Sequence, residues 1–396
     1  MQNIMERKAR NKNRLPKRYW VKKLYRYISI TIIAIVVAFV ILNLVKKDRE
    51  MSEKENRMLQ SFPTVSMDNI ASGRFMSEYE TYQSDQFIFR DFWISLKTCL
   101  DSISGKNYSN GVYKGKKGYL LEEPAEPDEE NLQKNIDAIN ALADGGVAKV
   151  YTMIVPNAST IMPTLLPAFA PVRSQKEDLA KFRSSLSQKV TDIDVAEILK
   201  EHLDEQMFYH TDHHWTTRGA YYSFLKAAES LGIEGESVNY DIYKVSADFV
   251  GTMASTSGYI GKKDVIEAFL PSGTSVQYLI EYVEEQKTTA SLYQSDKLEG
   301  YDKYAFFLGG NSPILRIKTT ASTDKKLLVV KDSYANCFLP FLIPHYKEIV
   351  VADPRYYYDD IYDEISSKGI SEILFLYNAN TFFKDNSISG IFEKYN

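Results

Sequence analysis

Residues 325–333 read KKLLVVKDS, a short run of leucine and valine that ends in two polar residues. Two later segments have the same form, EIVVADPR at 348–355 and SEILFLYNAN at 371–380, and VAKVYTMIVPN at 147–157 is a fourth. Apolar runs without alternation are typical of strands that are buried on both faces of a parallel sheet. Because helix-like or mixed sequence separates the four runs, they predict a doubly wound α/β sheet.

Each predicted strand finishes in polar residues, among them Asn157, Ser333, Arg355 and Asn378. In doubly wound sheets, ligands bind in the crevice beyond the carboxyl ends of the strands. We therefore expect these four side chains to converge on one crevice, which would be the functional site.

The composition is that of a folded chain. The protein has 396 residues, of which 44% are hydrophobic and 25% charged, with a formal net charge of −4. These values exclude a wholly disordered chain, a collagen-like repeat and a polytopic membrane protein. The two cysteines, Cys99 and Cys337, exclude a disulfide-dense scaffold and a multi-cysteine zinc module. They could form one bridge, but nothing in the sequence requires it.

The charge is unevenly distributed. Residues 1–27 carry a net charge of +9, and the remainder of the chain carries −13. Residues 28–45, ISITIIAIVVAFVILNLV, follow the basic arm and contain no charge. Eighteen helical residues span about 27 Å, close to the thickness of the hydrocarbon core of a bilayer. The apolar segment is longer than that of a typical signal peptide and lacks a small-residue cleavage pattern, which predicts an uncleaved signal anchor.

The positive-inside rule then places the basic arm in the cytoplasm and residues 46–396 outside the cell membrane. We expect a single-pass protein that contacts the lipid bilayer through 28–45. A nucleic-acid partner is not expected, because the basic arm adjoins an apolar segment rather than a folded basic face.

The sequence predicts four regions. Residues 1–27 are a cytoplasmic arm, 28–45 the transmembrane segment, 46–105 an extracytoplasmic stalk with a lead-in helix, and 106–396 the α/β domain. Within that domain, 240–320 contains shorter strand-like pieces such as VQYLIEYVEE and YAFFLGGN, and is predicted to be an inserted β-rich subdomain.

Histidines cluster in one segment. The chain has five, and four of them lie within 13 positions: His202, His210, His213 and His214. Asp212 precedes His214 by two residues in the string HTDHHWTTRG, so its carboxylate could fix the tautomer of the imidazole and stabilise its charged form. Thr216 or Thr217 could cap the helix that follows and so hold the loop.

A nucleophile for this pair would stand at a strand end, and Ser333 has that position. A turn from strand to helix exposes a serine hydroxyl, and the helix start offers backbone N–H donors to an oxyanion. Asp332 would shape the turn. Cys337 is the second candidate nucleophile, but it lies about one turn into the predicted helix and we interpret it as a packed thiol.

Other assignments of this segment remain open. His210, Asp212 and His214 could bind zinc, but they lie on a single loop without a fourth ligand, so no metal is expected. His213 alternates with His214 and is expected to support the loop rather than to react. Trp215 could line a sugar subsite or cover the start of the helix.

The strings TDHHWTTRGAYY at 211–222 and KDSYANCF at 331–338 resemble the DHHW protein family, an SGNH-hydrolase-like group. The chain is also similar to the alginate O-acetylation proteins. The resemblance covers most of the extracytoplasmic part. In SGNH enzymes the serine usually precedes the Asp/His pair, whereas here Asp212 and His214 precede Ser333. The resemblance therefore implies a circularly permuted SGNH-like fold.

The resemblance also implies roles for the other strand ends. Asn378 would be the oxyanion-hole asparagine, and Arg355 would bind a carbonyl or an acidic sugar, while Lys331 replaces the glycine of the usual serine block. The candidate oxyanion- and substrate-binding residues are Asn378, Arg355, Trp215 and His213.

The implied chemistry is acyl transfer without a cofactor. His214, oriented by Asp212, takes the proton of Ser333, whose Oγ attacks an acyl donor. We expect an O-acyltransferase, with acetyl as the acyl group, that modifies a cell-surface polysaccharide and works with a membrane-bound acyltransferase. An acetyl esterase with the same triad, or a non-catalytic glycan-binding or assembly protein on this scaffold, are the alternatives.

Overall fold

The structure is a computed structural model that describes residues 17–52, 57–235, 238–259, 261–273 and 275–392. The chain divides into two compact units. Among the described residues, one contains 17–52 and Arg57–Trp93, and the other contains the residues from Ile94 onward. The boundary between Trp93 and Ile94 lies within the segment 46–105 that the sequence predicts as a stalk and lead-in helix. The predicted cytoplasmic arm lies outside the described residues as far as residue 16.

The helices and strands are numbered in chain order. The α-helices are α1 (Lys17–Val45), α2 (Met67–Ala71), α3 (Arg74–Asp85), α4 (Arg90–Ile103), α5 (Glu129–Gly145), α6 (Ala158–Ile161), α7 (Gln175–Ser184), α8 (Ala196–Glu201), α9 (Thr217–Leu231), α10 (Thr252–Ser257), α11 (Leu339–Leu342), α12 (Tyr362–Lys368) and α13 (Ala379–Phe382). The strands are β1 (Met51–Ser52), β2 (Arg57–Met58), β3 (Tyr108–Ser109), β4 (Val112–Lys114), β5 (Leu120–Glu122), β6 (Lys149–Val155), β7 (Val190–Asp192), β8 (Asn239–Phe249), β9 (Asp264–Ser272), β10 (Tyr278–Tyr282), β11 (Lys287–Thr289), β12 (Ile314–Thr319), β13 (Lys326–Lys331), β14 (Glu348–Ala352) and β15 (Glu372–Asn378).

The first unit contains the apolar helix α1. Its residues Arg18–Val45 are long and apolar enough to cross a membrane, and the side chains of this segment are exposed. A membrane anchor and a signal sequence both have these properties.

Elsewhere in this unit, the buried carboxylate of Asp85 accepts two hydrogen bonds from the guanidinium of Arg57, at 2.9 and 2.6 Å. Burial alone would raise the pKa of Asp85, but the hydrogen bonds from Arg57 and from the Gln60 backbone outweigh burial and lower it.

The second unit is built on a large sheet. Its described residues form eight strands in the order β11-β10-β12-β14-β13-β15-β6-β7. The five strands from β14 to β7 are parallel. Side chains of β13 alternate between two hydrophobic cores, with Leu327 and Val329 on one face of the sheet and Leu328 and Val330 on the other. The prediction of an α/β sheet buried on both faces is therefore confirmed.

The order of the parallel strands shows the permutation. If counting starts at β13, the spatial order β14-β13-β15-β6-β7 reads 2-1-3-4-5, which is a common doubly wound order. The fourth and fifth strands in this count, β6 and β7, come first along the chain and precede β13 by more than a hundred residues. The chain passes from β13 to β14 on one side and then from β14 to β15 on the other side of β13, so the crevice of the fold is expected between the carboxyl ends of β13 and β15.

The segment 240–320 is rich in strands, as the sequence predicts, but they lie in two places. β8 and β9 form an antiparallel pair of their own. β10, β11 and β12 instead extend the central sheet, where β12 pairs antiparallel with β14. These three strands are thus part of the main sheet rather than of an inserted subdomain, because pairing with β14 satisfies the backbone groups at what would otherwise be its edge.

Candidate active site

The loop that carries Asp212 and His214 is closed at its base. Phe208 and Trp215 form an antiparallel bridge across it. Thr216 then caps α9, because its Oγ1 accepts a hydrogen bond of 3.2 Å from a backbone N–H in the first turn of the helix. Of the two threonines that the sequence offered as caps, the structure selects Thr216. The loop is thereby fixed at both ends.

Asp212 is buried and fully hydrogen-bonded. One oxygen, Oδ1, accepts from the backbone N–H of His214 at 3.0 Å, and the other, Oδ2, accepts from the Thr252 backbone N–H at 2.9 Å and hydroxyl at 3.1 Å. Burial by itself would raise the pKa of Asp212. The charges of His213 and His214 and these hydrogen bonds outweigh burial and hold the pKa well below its usual range. Asp212 therefore stays ionised and can only accept hydrogen bonds.

Gly251 makes the close packing around Asp212 feasible. A Cβ at this position would overlap with the Asp212 side chain and lie 2.6 Å from its Cα. No side chain larger than hydrogen fits here unless Asp212 moves.

Ser333 stands at the carboxyl end of β13, where Asp332 shapes the turn. The two oxygens of Asp332 accept from the backbone N–H groups of Tyr334, at 2.9 Å, and Asn378, at 3.0 Å. The residues that follow, Ser333–Cys337, form a short 3₁₀ helix rather than the longer helix that the sequence suggested. Within the described residues, no hydrogen bond engages the backbone N–H of Ser333.

The structure brings Ser333, His214 and Asp212 together. His214 Nδ1 lies 2.5 Å from Asp212 Oδ1, and His214 Nε2 lies 2.7 Å from Ser333 Oγ. Because the ionised carboxylate can only accept, Nδ1 carries the hydrogen and Nε2 is left to accept the hydroxyl proton of Ser333. Tyr304 stacks on the imidazole at 3.7 Å between ring centroids, and its hydroxyl donates to the backbone carbonyl of Ser333 at 3.1 Å. Tyr304 thus contacts both His214 and Ser333 and helps to hold them in position.

A crevice of about 900 Å³ lies next to this trio. His213, which neighbours His214, and Thr252, which contacts Asp212, are among the residues that line it. Most of its lining is polar or charged, including Asn110, Glu122, Glu123, Glu126, Arg173, His213, Thr252, Arg355, Asn380, Lys384 and Asp385. A ligand with many hydroxyl groups suits such walls.

Two of the predicted substrate-binding residues line the crevice. His213 is partly exposed and its Nδ1 lies 3.0 Å from the Thr252 hydroxyl. Burial and the charge of His214 lower the pKa of His213. The guanidinium of Arg355 donates two hydrogen bonds to the carboxylate of Asp353, of 2.8 and 2.7 Å. Burial acts to lower the pKa of Arg355, but the hydrogen bonds and charge of Asp353 outweigh it and raise that pKa.

Trp215 does not reach the crevice, which corrects its assignment to a sugar subsite. It is fully buried, its Nε1–H donates to the Tyr334 carbonyl at 3.0 Å, and its ring stacks on Phe338. The physical reason is the bridge with Phe208, which turns Trp215 into the core beneath the serine turn. Its role is to support the loop and the turn together.

Asn378 is also placed differently from the expectation for an oxyanion-hole residue. Its side chain is buried and caps α13, with Oδ1 accepting from the Asn380 backbone N–H at 2.9 Å. Its amide nitrogen faces the Val155 carbonyl at 3.4 Å and Asn157 Oδ1 at 3.3 Å. Capping thus directs the amide into the strand ends rather than into the crevice.

The structure shows what surrounds Cys337, the second candidate nucleophile, and the three candidate zinc ligands of the sequence analysis. Cys337 is a buried free thiol, and burial raises its pKa to about 12. His210 is the first of the three candidate zinc ligands. The distance from its Nδ1 to Asp264 Oδ1 is 2.9 Å. Asp212, His213 and His214 do have ligand atoms within 4.8 Å of one another. However, both imidazole nitrogens of His214 are already engaged, so a metal ion would have to displace Asp212 or Ser333 from it.

Sequence reasoning missed Tyr304, Thr252 and Glu122. Tyr304 and Thr252 contact the trio directly, and Glu122 lines the crevice. None of the three could be singled out from the sequence, because their positions at the site depend on packing between distant segments.

Comparison with known proteins agrees with this architecture. The sequence profile described as DHHW protein matches residues 132–352. A DHHW family protein from Eubacterium siraeum has 24% sequence identity and a TM-score of 0.58 over 70% of this chain and 97% of that chain. PatB1 from Bacillus cereus, solved with a sulfonyl adduct, has 19% identity and a TM-score of 0.60 over 72% and 98%. The O-acetyltransferase domain of Pseudomonas putida AlgJ has 15% identity and a TM-score of 0.46 over 70% and 94%. No curated protein sequence matches the chain.

Proposed function

The chain belongs to the DHHW protein family, and from the geometry of its crevice we propose that it is a serine-dependent O-acyltransferase. The acyl group is acetyl, and the acceptor is a hydroxyl of a cell-surface polysaccharide. The observation that carries the proposal is the 2.7 Å contact between His214 Nε2 and Ser333 Oγ, with Asp212 on the opposite nitrogen. A protein that only binds glycans has no use for this contact.

The proposed reaction has two halves. In the first, His214 Nε2 takes the proton of Ser333 as Oγ bonds to the carbonyl carbon of the acetyl donor, and His214 then gives that proton to the leaving group. In the second, His214 takes the proton of an acceptor hydroxyl as its oxygen bonds to the acetyl carbon, and His214 then gives that proton to Ser333 Oγ as the acetyl–Oγ bond breaks, which leaves the new ester and the free enzyme. Asp212 stabilises the imidazolium in both halves.

The backbone N–H of Ser333 is the proposed donor to the oxyanion, because no described residue occupies it. Removal of one such donor typically costs about 10²–10³ in kcat, so this group matters as much as a side chain. The sulfonyl adduct carried by Bacillus cereus PatB1 supports the choice of a nucleophilic mechanism, since sulfonyl groups react with activated nucleophiles.

We further propose that α1 anchors the protein, with residues 1–27 in the cytoplasm and 46–396 outside. The site would then face the cell-surface polysaccharide, and a membrane-bound acyltransferase would supply the acetyl group.

The proposal is tested by trapping the intermediate. We expect the protein, mixed with p-nitrophenyl acetate and quenched in acid, to carry one acetyl group on Ser333, as mass spectrometry of the peptide would reveal. With a sugar acceptor also present, release of acetate without acetylation of the acceptor would identify an esterase. If the wild type shows neither turnover nor acetyl-Ser333, while Ser333→Ala still binds glycan, the protein is a binding module and the enzymatic proposal fails.

Gly251→Ala tests the support of the carboxylate. The new methyl group would overlap with Asp212, and a displacement of about 1 Å in a catalytic group can cost on the order of 10²-fold in rate. We expect that loss in kcat/KM for p-nitrophenyl acetate. Gly261→Ala is the control, since a Cβ at Gly261 meets nothing within 4 Å. Equal rates for the two variants would contradict the assigned role of Asp212.

A further inference from the structure

Glu122 is a carboxyl group of the crevice that the mechanism above does not use. It is the last residue of β5 and lines the same crevice as His213 and Thr252. Sequence patterns gave it no role, and its position follows from the pairing of β5 with β4.

One oxygen of Glu122 is held firmly. Oε2 accepts hydrogen bonds from Asn157 Nδ2 at 2.8 Å and Asn380 Nδ2 at 2.9 Å. Both amides are fixed in that orientation, because Asn157 Oδ1 accepts from Gln175 at 2.8 Å and Asn380 Oδ1 accepts from the Ala125 backbone N–H at 2.7 Å. The carboxyl plane of Glu122 is therefore set before any ligand arrives.

The other oxygen, Oε1, has no hydrogen-bond partner within the part of the chain that the structure describes. Burial raises the pKa of Glu122, although the charge of His213 and the two amide hydrogen bonds oppose that effect. Oε1 is accessible from the crevice rather than sealed in the interior, so a ligand hydroxyl can reach it and donate to it.

Three of the charged groups that line the same crevice are already engaged. The carboxylate of Glu123 accepts from the Tyr108 hydroxyl at 2.6 Å, and Arg355 is paired with Asp353. Arg173 is bound by Asp178 through two hydrogen bonds of 2.7 and 2.8 Å. Glu122 Oε1 is thus an acceptor that is held in place and remains open to the crevice.

We propose that Glu122 Oε1 binds one hydroxyl of the acceptor and so holds a neighbouring hydroxyl of the same sugar against acetyl-Ser333. This inference rests on the proposed function and adds the class of acceptor, a compound with adjacent hydroxyl groups. Water and simple alcohols have no second hydroxyl, so they gain nothing from Glu122. The carboxyl group would in this way favour transfer over hydrolysis.

The experiment uses the full-length protein, p-nitrophenyl acetate as donor, and two acceptors, methyl α-D-glucopyranoside and methanol. Products are quantified as acetylated glucoside, methyl acetate and free acetate. Glu122→Gln keeps the size of the side chain and an oxygen for the two amides, but presents an NH₂ group to the crevice. We expect it to lower the ratio of glucoside transfer to hydrolysis roughly tenfold, as for the loss of one charge-assisted hydrogen bond. The ratio for methanol and the rate of Ser333 acetylation should not change.

Glu130→Gln is the matched control, because it removes the charge of an exposed carboxylate on α5 that does not line the crevice, and we expect wild-type ratios from it. The proposal is overturned if Glu122→Gln keeps the wild-type glucoside ratio, or if it slows Ser333 acetylation as much as transfer, which would indicate a structural role. A wild type that hydrolyses acetyl-Ser333 but never transfers it to the glucoside also overturns it. A wild type that never forms acetyl-Ser333 refutes the proposed function itself, and the role of Glu122 with it.

Discussion

Ser333→Ala is expected to lower the rate of acetyl transfer by roughly 10³–10⁶-fold, the range for removal of the nucleophile from a serine triad. The physical reason is that Oγ is the atom that His214 Nε2 contacts at 2.7 Å. The second candidate nucleophile, Cys337, cannot replace it, since Cys337 is buried and burial raises its pKa to about 12. The loss should fall on kcat, and is measured by steady-state kinetics with p-nitrophenyl acetate and by labelling with a sulfonyl fluoride.

Cys337→Ala is the matched control for this variant, because it removes the second candidate nucleophile, four residues further along the chain. We expect it to keep both the labelling and the rate. Its effect should be confined to stability, since the thiol is fully buried. Labelling that persists in Ser333→Ala but disappears in Cys337→Ala would reverse the two assignments.

Asp212→Asn is expected to lower kcat by about 10⁴-fold, the loss seen when a triad carboxylate becomes an amide. The amide can donate to His214 Nδ1, which favours the tautomer with the hydrogen on Nε2. That nitrogen would then face Ser333 Oγ as a donor and could not take its proton. The measurement is kcat for the purified variant, with the rate of Ser333 acetylation followed separately. Retention of more than a tenth of the wild-type kcat would show that Asp212 does not orient the base.

The same substitution has a pH-dependent effect on stability. The pKa of Asp212 in the folded protein lies well below its ordinary value of 3.8. A depressed carboxyl pKa stabilises the folded state above the unfolded pKa, and this stabilisation is lost as the pH falls towards the folded value. The wild type should therefore exceed Asp212→Asn in free energy of unfolding at neutral pH. The difference, measured by urea denaturation, should narrow below about pH 4.

Much of the fold follows from four apolar runs. The segments that end at Asn157, Ser333, Arg355 and Asn378 are central parallel strands because each must be buried on both faces. The order of Asp212 and Ser333 along the chain already indicated the permutation. The strands of 240–320 could not be placed, because sequence alone does not reveal whether an antiparallel strand pairs with the main sheet or with its neighbour.

The site was predictable to a similar degree. Asp212, His214 and Ser333, which the structure brings together, could be singled out from sequence motifs, whereas the positions of Trp215 and Asn378 depend on tertiary structure. Whether a loop tryptophan faces a ligand or the core is decided by a bridge to Phe208. Asn378 immediately precedes α13 and caps it. Its side-chain amide is therefore held by the helix cap, which competes with any catalytic use of that amide.

The chain order of β6 and β13 has a consequence for biosynthesis. As the nascent protein leaves the ribosome, β6 emerges long before its neighbour β15, which pairs with it over seven residues from Glu372 to Asn378. Until those residues are synthesised, β6 has no hydrogen-bonded strand on the side where β15 will pair, and this edge of the strand is exposed. The domain therefore gains its central pairing late, and premature termination before β15 should give an aggregation-prone product rather than a shortened protein that still folds.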